Sequence, residues 1–424
     1  MDTRSEPAQV PDGAPEARRV PASAWGILAH RNFGPYFVGN LLSNSGTWLQ
    51  NVAQAILVYE LTRSAFLVGL VNFAQFSGIV LLAPWAGGAA DRYDRRRLLI
   101  FTQLVAIAIT GGLALVTWAG LASTPVVIGF ALVLGLTTAF AIPAMQSLVP
   151  MLVPSRDLAR AVAMNAVTFQ LSRAIGPLTG ALVVHRLGFA AAFGLNCLSY
   201  LALIAALLAI HPRPRGPRPE SRPRLRDSIA AVRRDARRAA LFGVVVVAGL
   251  SADPVNTLTP AFASEVFGQP ETFAGFLVAA FGLGAVFATL FIGRGASSAR
   301  RTAIAMGVMG AAMIGFAVSG NLFFGLAALS VAGFGYLTTV TASTTALHLE
   351  TDESERGRTM ALWSVAFLGS RPLASLIDGA IASLTTVHVA AVAMALPVLA
   401  GAVAIAWVLR RRASRRTTRS EPVG

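Results

Sequence analysis

The stretch Gly87–Arg97, GGAADRYDRRR, lies between two apolar runs at about residues 65–86 and 98–119. Each run has roughly the 20 mostly apolar residues that a helix needs to cross a bilayer. The loop between them is short and carries four arginines. Because basic residues concentrate in cytoplasmic loops, it predicts two transmembrane helices joined on the cytoplasmic side.

The rest of the chain repeats this pattern. Of its 424 residues 55% are hydrophobic and 13% are charged, against about 25% charged residues in a soluble domain. Long apolar runs without strict alternation fit helices rather than a β-barrel, since backbone polar groups in hydrocarbon must be paired within their own segment. The predicted fold is an all-α membrane protein with twelve spans, numbered 1 to 12. Their predicted limits are 34–59, 65–86, 98–119, 125–146, 159–184, 188–210, 240–264, 272–293, 302–319, 322–347, 359–383 and 388–409.

The distribution of arginine predicts the orientation. All 35 basic residues are arginine, and placing the N-terminus inside leaves only Arg63 and Arg186 in outer loops. Arg173 and Arg371 fall inside spans. Both termini are therefore expected in the cytoplasm, in a multi-pass protein of the cell membrane. Since the net charge of +15 resides in short loops, a lipid bilayer rather than nucleic acid is the predicted partner.

The chain divides at one long polar break. Residues 211–238 contain ten arginines and are predicted to be a cytoplasmic linker between six-helix bundles at 25–210 and 239–410. Met1–Ala24 lacks the apolar core of a signal peptide and is predicted to be a disordered cytoplasmic arm. Residues 411–424 form a basic cytoplasmic tail.

The two bundles show traces of an internal repeat. Spans 5 and 11 carry the same residue types at the same depth, as a parallel duplication of six helices would produce. A shift of 198 residues superposes Arg160 on Arg358, Phe169 on Phe367 and Arg173 on Arg371. The sequence thus favours two pseudo-symmetric halves.

Residues for enzymatic chemistry or cofactor binding are not grouped in this sequence. Cys197 is the only cysteine, and the five histidines are scattered, so neither a disulfide nor a metal site is predicted. A phosphate-binding glycine loop with its lysine is absent. We therefore expect no enzyme, no ATP-driven pump, no metal and no cofactor, and the chain is expected to act as a monomer.

Four segments resemble the major facilitator superfamily, and in particular its branch of enterobactin exporters and macrolide efflux pumps. The loop Gly87–Arg97 matches the superfamily signature between helices 2 and 3, although Asp94 stands where that pattern commonly has glycine. The other segments are LSNSGTWLQNVAQ at Leu42–Gln54, NAVTFQLSRAIGPLTG at Asn165–Gly180 and ERGRTMALWSVAFLG at Glu355–Gly369. This resemblance implies two bundles that alternate access to a central cavity.

The signature loop is implied to be a gate on the cytoplasmic side. Gly87 and Gly88 are expected to allow close packing at the end of span 2. Asp91 is expected to face the positive N-terminus of span 11, which would begin near Arg358. The gating residues are Gly87, Asp91, Arg92 and Arg95, while the alternative is that the arginines only orient the loop.

A second motif lies in span 5. Gly176, Pro177 and Gly180 resemble the antiporter motif of exporters in this superfamily, with Ala181 in place of its last glycine. Proline removes a backbone hydrogen bond and glycine leaves no side chain, so the motif bends and thins the helix. The arginine that the antiporter pattern often has in helix 4 is absent here.

The resemblance implies that spans 1, 4, 7 and 10 line the cavity. Polar and aromatic residues fall at helical spacing in these spans, and for each of them a hydrogen bond between helices is the alternative to substrate contact. The mixture of amide and aromatic side chains suggests a sizeable amphipathic ligand. The candidates are Asn40, Asn44, Trp48, Asn51, Thr137, Phe140, Asn256 and Tyr336, together with Arg173, Asp253 and Arg371.

The charged candidates lie near mid-membrane. Arg173 and Arg371 each lie thirteen residues beyond the arginine at the cytoplasmic end of their helix, Arg160 or Arg358, which is roughly 20 Å of helix. A charge at that depth is expensive, so each should face the cavity or a carboxylate, with Asp253 as one partner and Asp378 as a poorer one. Asp253 is also the candidate for the coupling proton, or else belongs to a hydrogen-bonded turn with Pro254.

Together these features predict a secondary transporter that exports a hydrophobic or amphipathic small molecule, such as a drug, antibiotic or siderophore, by proton antiport. An importer of the same fold is the first alternative. A membrane sensor or scaffold without transport is the second.

Overall fold

The computed structural model describes residues 24–213, 232, 235–291, 298–351 and 353–417. Within these ranges the chain is helical and contains no strand. The predicted arm, most of the linker and the end of the tail lie outside the described residues.

The described residues form fourteen α-helices. The longest of them match the apolar runs, as expected if burial in a bilayer drives their formation. They are α1 (Phe33–Thr62), α2 (Ala65–Leu81), α3 (Ala83–Arg92), α4 (Arg95–Trp118), α5 (Thr124–Leu152), α6 (Leu158–Ala209), α7 (Ala236–Ala252), α8 (Pro254–Thr257), α9 (Thr259–Ala261), α10 (Ala274–Thr289), α11 (Ala299–Ala317), α12 (Leu322–Glu350), α13 (Glu353–Leu384) and α14 (Val387–Thr417).

Eight helices of the described chain are long and apolar enough to cross a membrane, or nine if α2 and α3 form one bent span. The chain is thus a multi-pass membrane protein. Twelve spans remain a prediction. The largest departure is α6, which covers spans 5 and 6, and in which two helices meet at Gly188 with φ of 82°. Glycine adopts this left-handed conformation without the steric penalty of a side chain.

Side-chain caps begin several helices. A Ser, Asp or Asn just before the apolar run accepts a hydrogen bond from a backbone N–H in the first turn, which satisfies a donor that the helix leaves unpaired. Asp94 accepts from the N–H of Arg97 at 2.8 Å, so the residue that departs from the superfamily signature caps α4. The other caps of this kind are Ser64, Asp235, Ser298 and Asn321.

The helix predicted as span 7 is broken. It ends at Ala252 and continues as α8, α9 and a π-helical turn at Phe262–Val266. Pro254 and Pro260 each lack the N–H of a regular helix, which explains the interruption. The turn at Asp253 and Pro254 that the sequence suggested is therefore present.

The two halves of the chain meet along two helix pairs, α2 with α13 and α6 with α10. Small residues make both crossings possible. A Cβ at Gly69 would lie 2.0 Å from the carbonyl oxygen of Ser375, and a Cβ at Gly275 would lie 2.4 Å from that of Pro177. Helices in membranes associate closely through such residues.

Candidate functional site

The molecule has two distinct ends. The arginine-rich face is the end that carries the loop at Arg92–Arg97 together with Arg156 and Arg160, and the opposite face is the end where α1 terminates at Thr62. At the opposite face the Tyr59 hydroxyl donates to Glu265, and Arg63 forms an ion pair with Glu271. These contacts join α1 to the segment that follows α9. Glu271 also raises the pKa of Arg63.

A cavity of about 330 Å³ lies in the half of the molecule toward the arginine-rich face. Its volume falls in the range of about 300–1,000 Å³ found for small-molecule sites. The walls come from the halves of α1, α2, α4, α5, α6 and α13 that are nearer to this face. Of the sequence candidates, Asn40, Asn44, Trp48, Asn51, Thr137 and Arg371 line it.

The remaining cavity candidates lie elsewhere. Phe140 and Asn256 are half-buried, and Arg173, Asp253 and Tyr336 are buried away from the cavity wall. No residue of spans 7 or 10 is among those that line this cavity in the described chain, and the expectation that these spans contribute to it stays a prediction. The broken helix and α12 pack against the core on the closed side, so that α13 supplies the wall from the second half.

The sequence analysis missed a group of cavity residues on α4, α6 and α13. Trp363 and Phe367 stack with ring centroids 4.9 Å apart, and their spacing of four residues puts both on one helix face. That spacing was the signal that could have found them. Further residues of this wall are Thr102, Gln103, Asn165, Phe169 and Tyr200.

Amide side chains tie the cavity helices together. Asn40 donates to Asn165 at 3.1 Å, Asn44 donates to Asn40 at 2.7 Å, and Gln75 donates to Asn51 at 2.6 Å. The bonds of Asn40 and Asn51 run between helices, as the structural alternative expects, whereas Asn44 bonds within α1. The same side chains line the cavity, so each is oriented by a neighbour.

Arg371 is the charged group of the cavity wall. It is 6% exposed, and its guanidinium carbon lies 5.5 Å from the ring centroids of both Phe76 and Phe367. Aromatic faces attract a guanidinium in this range. The arrangement holds a positive charge at the end of the cavity that is farther from the arginine-rich face.

Arg173 occupies a different environment. It is 1% exposed and lies among aromatic rings, 4.6 Å from the centroid of Phe281 and 5.3 Å from those of Trp48 and Tyr336. Its Nε and Nη1 atoms have no hydrogen-bond acceptor among the described residues. Trp48 separates this arginine from the cavity.

Asp253 is buried where α7 ends. Its side chain is 3% exposed, and its Oδ2 accepts a hydrogen bond from Thr257 at 3.1 Å. It interacts electrostatically with Arg371 and, more weakly, with Arg173. No ion pair joins Asp253 to either arginine among the described residues, so the pairing that the sequence suggested stays a prediction.

The motif in α6 is used for close packing. A Cβ at Gly176 would lie 2.5 Å from the carbonyl oxygen of Ser45, and one at Gly180 would lie 2.9 Å from that of Leu49, both on α1. Pro177 faces α10 through its carbonyl group. Each glycine thus lets α6 approach α1 at the wall of the cavity.

The signature loop differs from its expected geometry. No atom of the described residues lies within 4 Å of a Cβ built at Gly87 or Gly88, so the expected close packing there is wrong for this conformation. The physical reason is that α3 packs against α2, α4 and α5 of its own half. Arg92 is exposed, and Arg95 approaches the sulfur of Met151 at 3.0 Å.

The partner expected for Asp91 also begins elsewhere. The helix that contains Arg358 starts at Glu353 rather than near Arg358, because the polar stretch ahead of the apolar run is itself helical. The side chains of residues 353–358 lie outside the described ones. The facing of Asp91 toward that helix stays a prediction.

Comparison with solved structures places the fold among transporters. A bacterial homolog of the human lysosomal transporter Spinster, in an inward-facing and occupied conformation, aligns with a TM-score of 0.72 at 13% identity, covering 89% of this chain and 96% of that one. The peptide transporter PepTSo aligns with a TM-score of 0.69 at 11% identity, covering 90% and 98%. At this identity the likeness shows the fold alone.

The match to a family model and the similarity to exporters indicate a transporter of the major facilitator type and not an enzyme. Residues 22–421 match the family model described as transmembrane secretion effector. The chain belongs to this family of the major facilitator superfamily.

Two curated relatives are enterobactin exporters. The enterobactin exporter EntS of Shigella boydii serotype 4 (strain Sb227) is 26% identical over 366 residues, covering 85% of this chain and 87% of the relative. The enterobactin exporter EntS of Escherichia coli O81 (strain ED1a) is 25% identical over the same shares. The similarity to the enterobactin exporter branch is confirmed.

Proposed function

We propose that this transporter exports a hydrophobic or amphipathic small molecule by proton antiport, with the cavity opening alternately to the two sides of the membrane. The observation that carries the proposal is the cavity itself. It lies toward the arginine-rich face, and hydrogen-bonded and ionic contacts join the helices at the opposite face. A pocket closed at one end is one of the two states that alternating access requires.

The lining suggests the class of substrate. Aromatic rings of Trp48, Phe169 and Trp363 alternate with amides such as Asn44 and Asn51. Such a surface suits a molecule with both apolar and hydrogen-bonding groups. Arg371 adds a positive charge that favours acidic or carbonyl-rich groups. Because its relatives are enterobactin exporters, siderophores are the first compounds to test.

Export follows from the predicted orientation. If the termini are cytoplasmic, as the arginine distribution favours, the arginine-rich face is inside and the cavity receives substrate from the cytoplasm. The protein would then work as a monomer in the cell membrane, with a small molecule and protons as its partners and without nucleic acid. Asp253 is the residue proposed to take part in proton coupling, because it is buried beside Arg371.

Transport into inverted membrane vesicles tests the proposal. We expect a siderophore such as enterobactin to accumulate when the vesicle lumen is made more acidic than the outside, so that protons leave as substrate enters, and the accumulation to collapse when a protonophore is added. Asp253→Asn should abolish the dependence on the gradient. Export that is unaffected by the protonophore would exclude proton antiport. If none of a panel of siderophores, antibiotics and dyes is transported, the chain fits the alternative of a sensor or scaffold.

A further inference from the structure

A second buried acid lies near Asp253. Asp378 is on α13, seven residues after Arg371, and is 0% exposed. Neither of its carboxyl oxygens has a hydrogen-bond partner within the described ranges of the chain. The sequence analysis considered Asp378 only as a poorer partner for Arg371, and the function proposed above does not use it.

The hydroxyl donor nearest to Asp378 already donates its hydrogen bond to another group. The nearest hydrogen-bonding groups are the Thr257 hydroxyl and the backbone N–H of Gly379. The Thr257 hydroxyl donates to Asp253 at 3.1 Å and accepts from Asn72 at 3.4 Å. A hydroxyl has a single hydrogen. Thr257 therefore has none left to donate to Asp378.

The charges around this site are two carboxyl groups and the guanidinium groups of Arg371 and Arg173. Asp378 interacts electrostatically with Asp253, which in turn interacts with Arg371. The helices α2 and α8 contribute only uncharged polar groups here. On α14 the ring of His388 is bonded to the carbonyl oxygen of Ala317. Arg173 acts on Asp253 more weakly than Arg371 does. Of the two carboxyl groups, Asp253 is therefore the one whose negative charge is offset by arginine.

We infer that Asp378 carries a proton in this conformation, and that Asp253 and Asp378 hold one proton between them. An ionised carboxyl group buried without a donor keeps the full penalty of desolvation, whereas a protonated one does not. Two adjacent carboxyl groups, of which only Asp253 interacts with an arginine, also disfavour double ionisation. This inference builds on the proton antiport proposed above, since the shared proton is the one that transport would exchange.

Infrared spectroscopy of the purified protein in liposomes tests the inference without any transport measurement. A protonated carboxylic acid has a C=O stretch that is separate from the amide bands and from ionised carboxylates. We expect such a band at neutral pH in the wild type, and its loss in Asp378→Asn. Ser375→Ala is the matched control, because Ser375 is equally buried on α13 and bonds only within its own helix. This control should retain the band.

Two results would overturn the assignment. One is a band that persists unchanged in Asp378→Asn, and the other is a band that is lost only in Asp253→Asn. Should Asp378→Asn fail to reach the membrane, Asp378→Glu serves instead, because a longer acid in the same place shifts the frequency of the stretch. An unshifted band in that variant would assign the proton to another residue.

Transport then separates this inference from the proposed function. Asp378→Asn should keep substrate exchange across vesicles without a gradient while losing most gradient-driven accumulation, whereas Ser375→Ala should keep both. If the wild type shows the infrared band but transports none of the tested compounds, the proposed function fails and the proton assignment holds. If Asp378→Asn keeps full gradient-driven transport, the shared proton is not the coupling proton.

Discussion

At the scale of single residues, the two intramembrane arginines differ although they occupy matching repeat positions. Arg371 reaches the cavity between Phe76 and Phe367. Arg173 is enclosed by Trp48, Phe281 and Tyr336 behind the cavity wall. The same side chain is thus placed to meet a substrate in one half and to support the wall in the other.

We expect the two arginines to respond differently to replacement by glutamine. Arg173→Gln removes three cation–π contacts that are worth about 2 kcal/mol or more when desolvated, so it should lower the thermal stability of the purified protein. Arg371→Gln should leave stability near that of the wild type and reduce export. Thermal unfolding in detergent and vesicle transport measure the two effects. Equal losses of stability in both variants would contradict the difference in roles.

The two arginines show which properties of a buried residue can be predicted from the sequence. Depth and repeat position could be counted from the sequence, and they placed both arginines near Asp253. Their neighbours could not be counted, because the rings around Arg173 come from three different helices. For the same reason the role of Asp378 could not be predicted from the sequence. It depends on the direction in which the Thr257 hydroxyl donates its hydrogen bond.

At the scale of helices, close crossings carry the packing between the halves. At Gly275 an added Cβ would lie 2.4 Å from both the Pro177 carbonyl and the Ala181 Cβ. The sequence analysis recognised the partner motif in α6 but not Gly275, because glycines are frequent along the whole chain. Only the crossing in three dimensions distinguishes a glycine that is packed from one that faces open space.

Gly275→Ala should therefore be destabilising. Overpacking a tight contact typically costs about 1–3 kcal/mol, and we expect a lower unfolding temperature and reduced yield in membranes. Gly129→Ala on α5 is the matched control, since no atom of the described residues lies within 4 Å of its Cβ position. The control should be neutral or slightly stabilising because alanine favours helix. Comparable losses in the two variants would mean that packing at Gly275 is not the cause.

The helix α3 suggests a test of the gate. In this conformation it packs against its own half, so the proposed gating role of Asp91 belongs to the state in which the arginine-rich face is closed. Asp91→Asn keeps the shape but loses a charge that favours a helix N-terminus by about 0.3–1 kcal/mol. We expect the protein to fold normally and its cavity to become more accessible from the arginine-rich face.

A single reporter cysteine measures that accessibility. Cys197→Ala supplies a cysteine-free background, and Thr137→Cys places a thiol on the cavity wall at a hydroxyl that bonds only to its own helix. Labelling by a membrane-impermeant reagent should be faster with Asp91→Asn than without it. The same labelling rate, together with the same export rate, would remove Asp91 from the gate.

At the scale of the whole molecule, the balance between the two conformations depends on the contacts at the opposite face. Tyr59 is 1% exposed and bonds to Glu265, so this contact is better shielded from water than the exposed ion pair of Arg63 with Glu271. Exposed ion pairs contribute little, whereas a hydrogen bond to a charged group contributes about 1.5–3 kcal/mol.

Tyr59→Phe should therefore shift the population toward the conformation open at the opposite face. In the same reporter background, labelling of Thr137→Cys from the arginine-rich face is expected to fall by roughly tenfold, because about 1.4 kcal/mol corresponds to a factor of ten. Arg63→Gln is the comparison variant and should change labelling much less. A larger effect from Arg63→Gln would assign the closure to the ion pair instead.

The two glycine-lined crossings also have a mechanical consequence. At Gly69 with Ser375, and at Gly275 with Pro177, the backbones touch without intervening side chains. Helices in contact through backbone atoms of this kind can rotate against each other with little change in the distance between their axes. Both crossings lie near the start of a helix, at Gly69 in α2 and at Gly275 in α10, toward the opposite face. They would thus serve as the pivots on which the halves rock, and the size of the residues there would set how far the cavity can open.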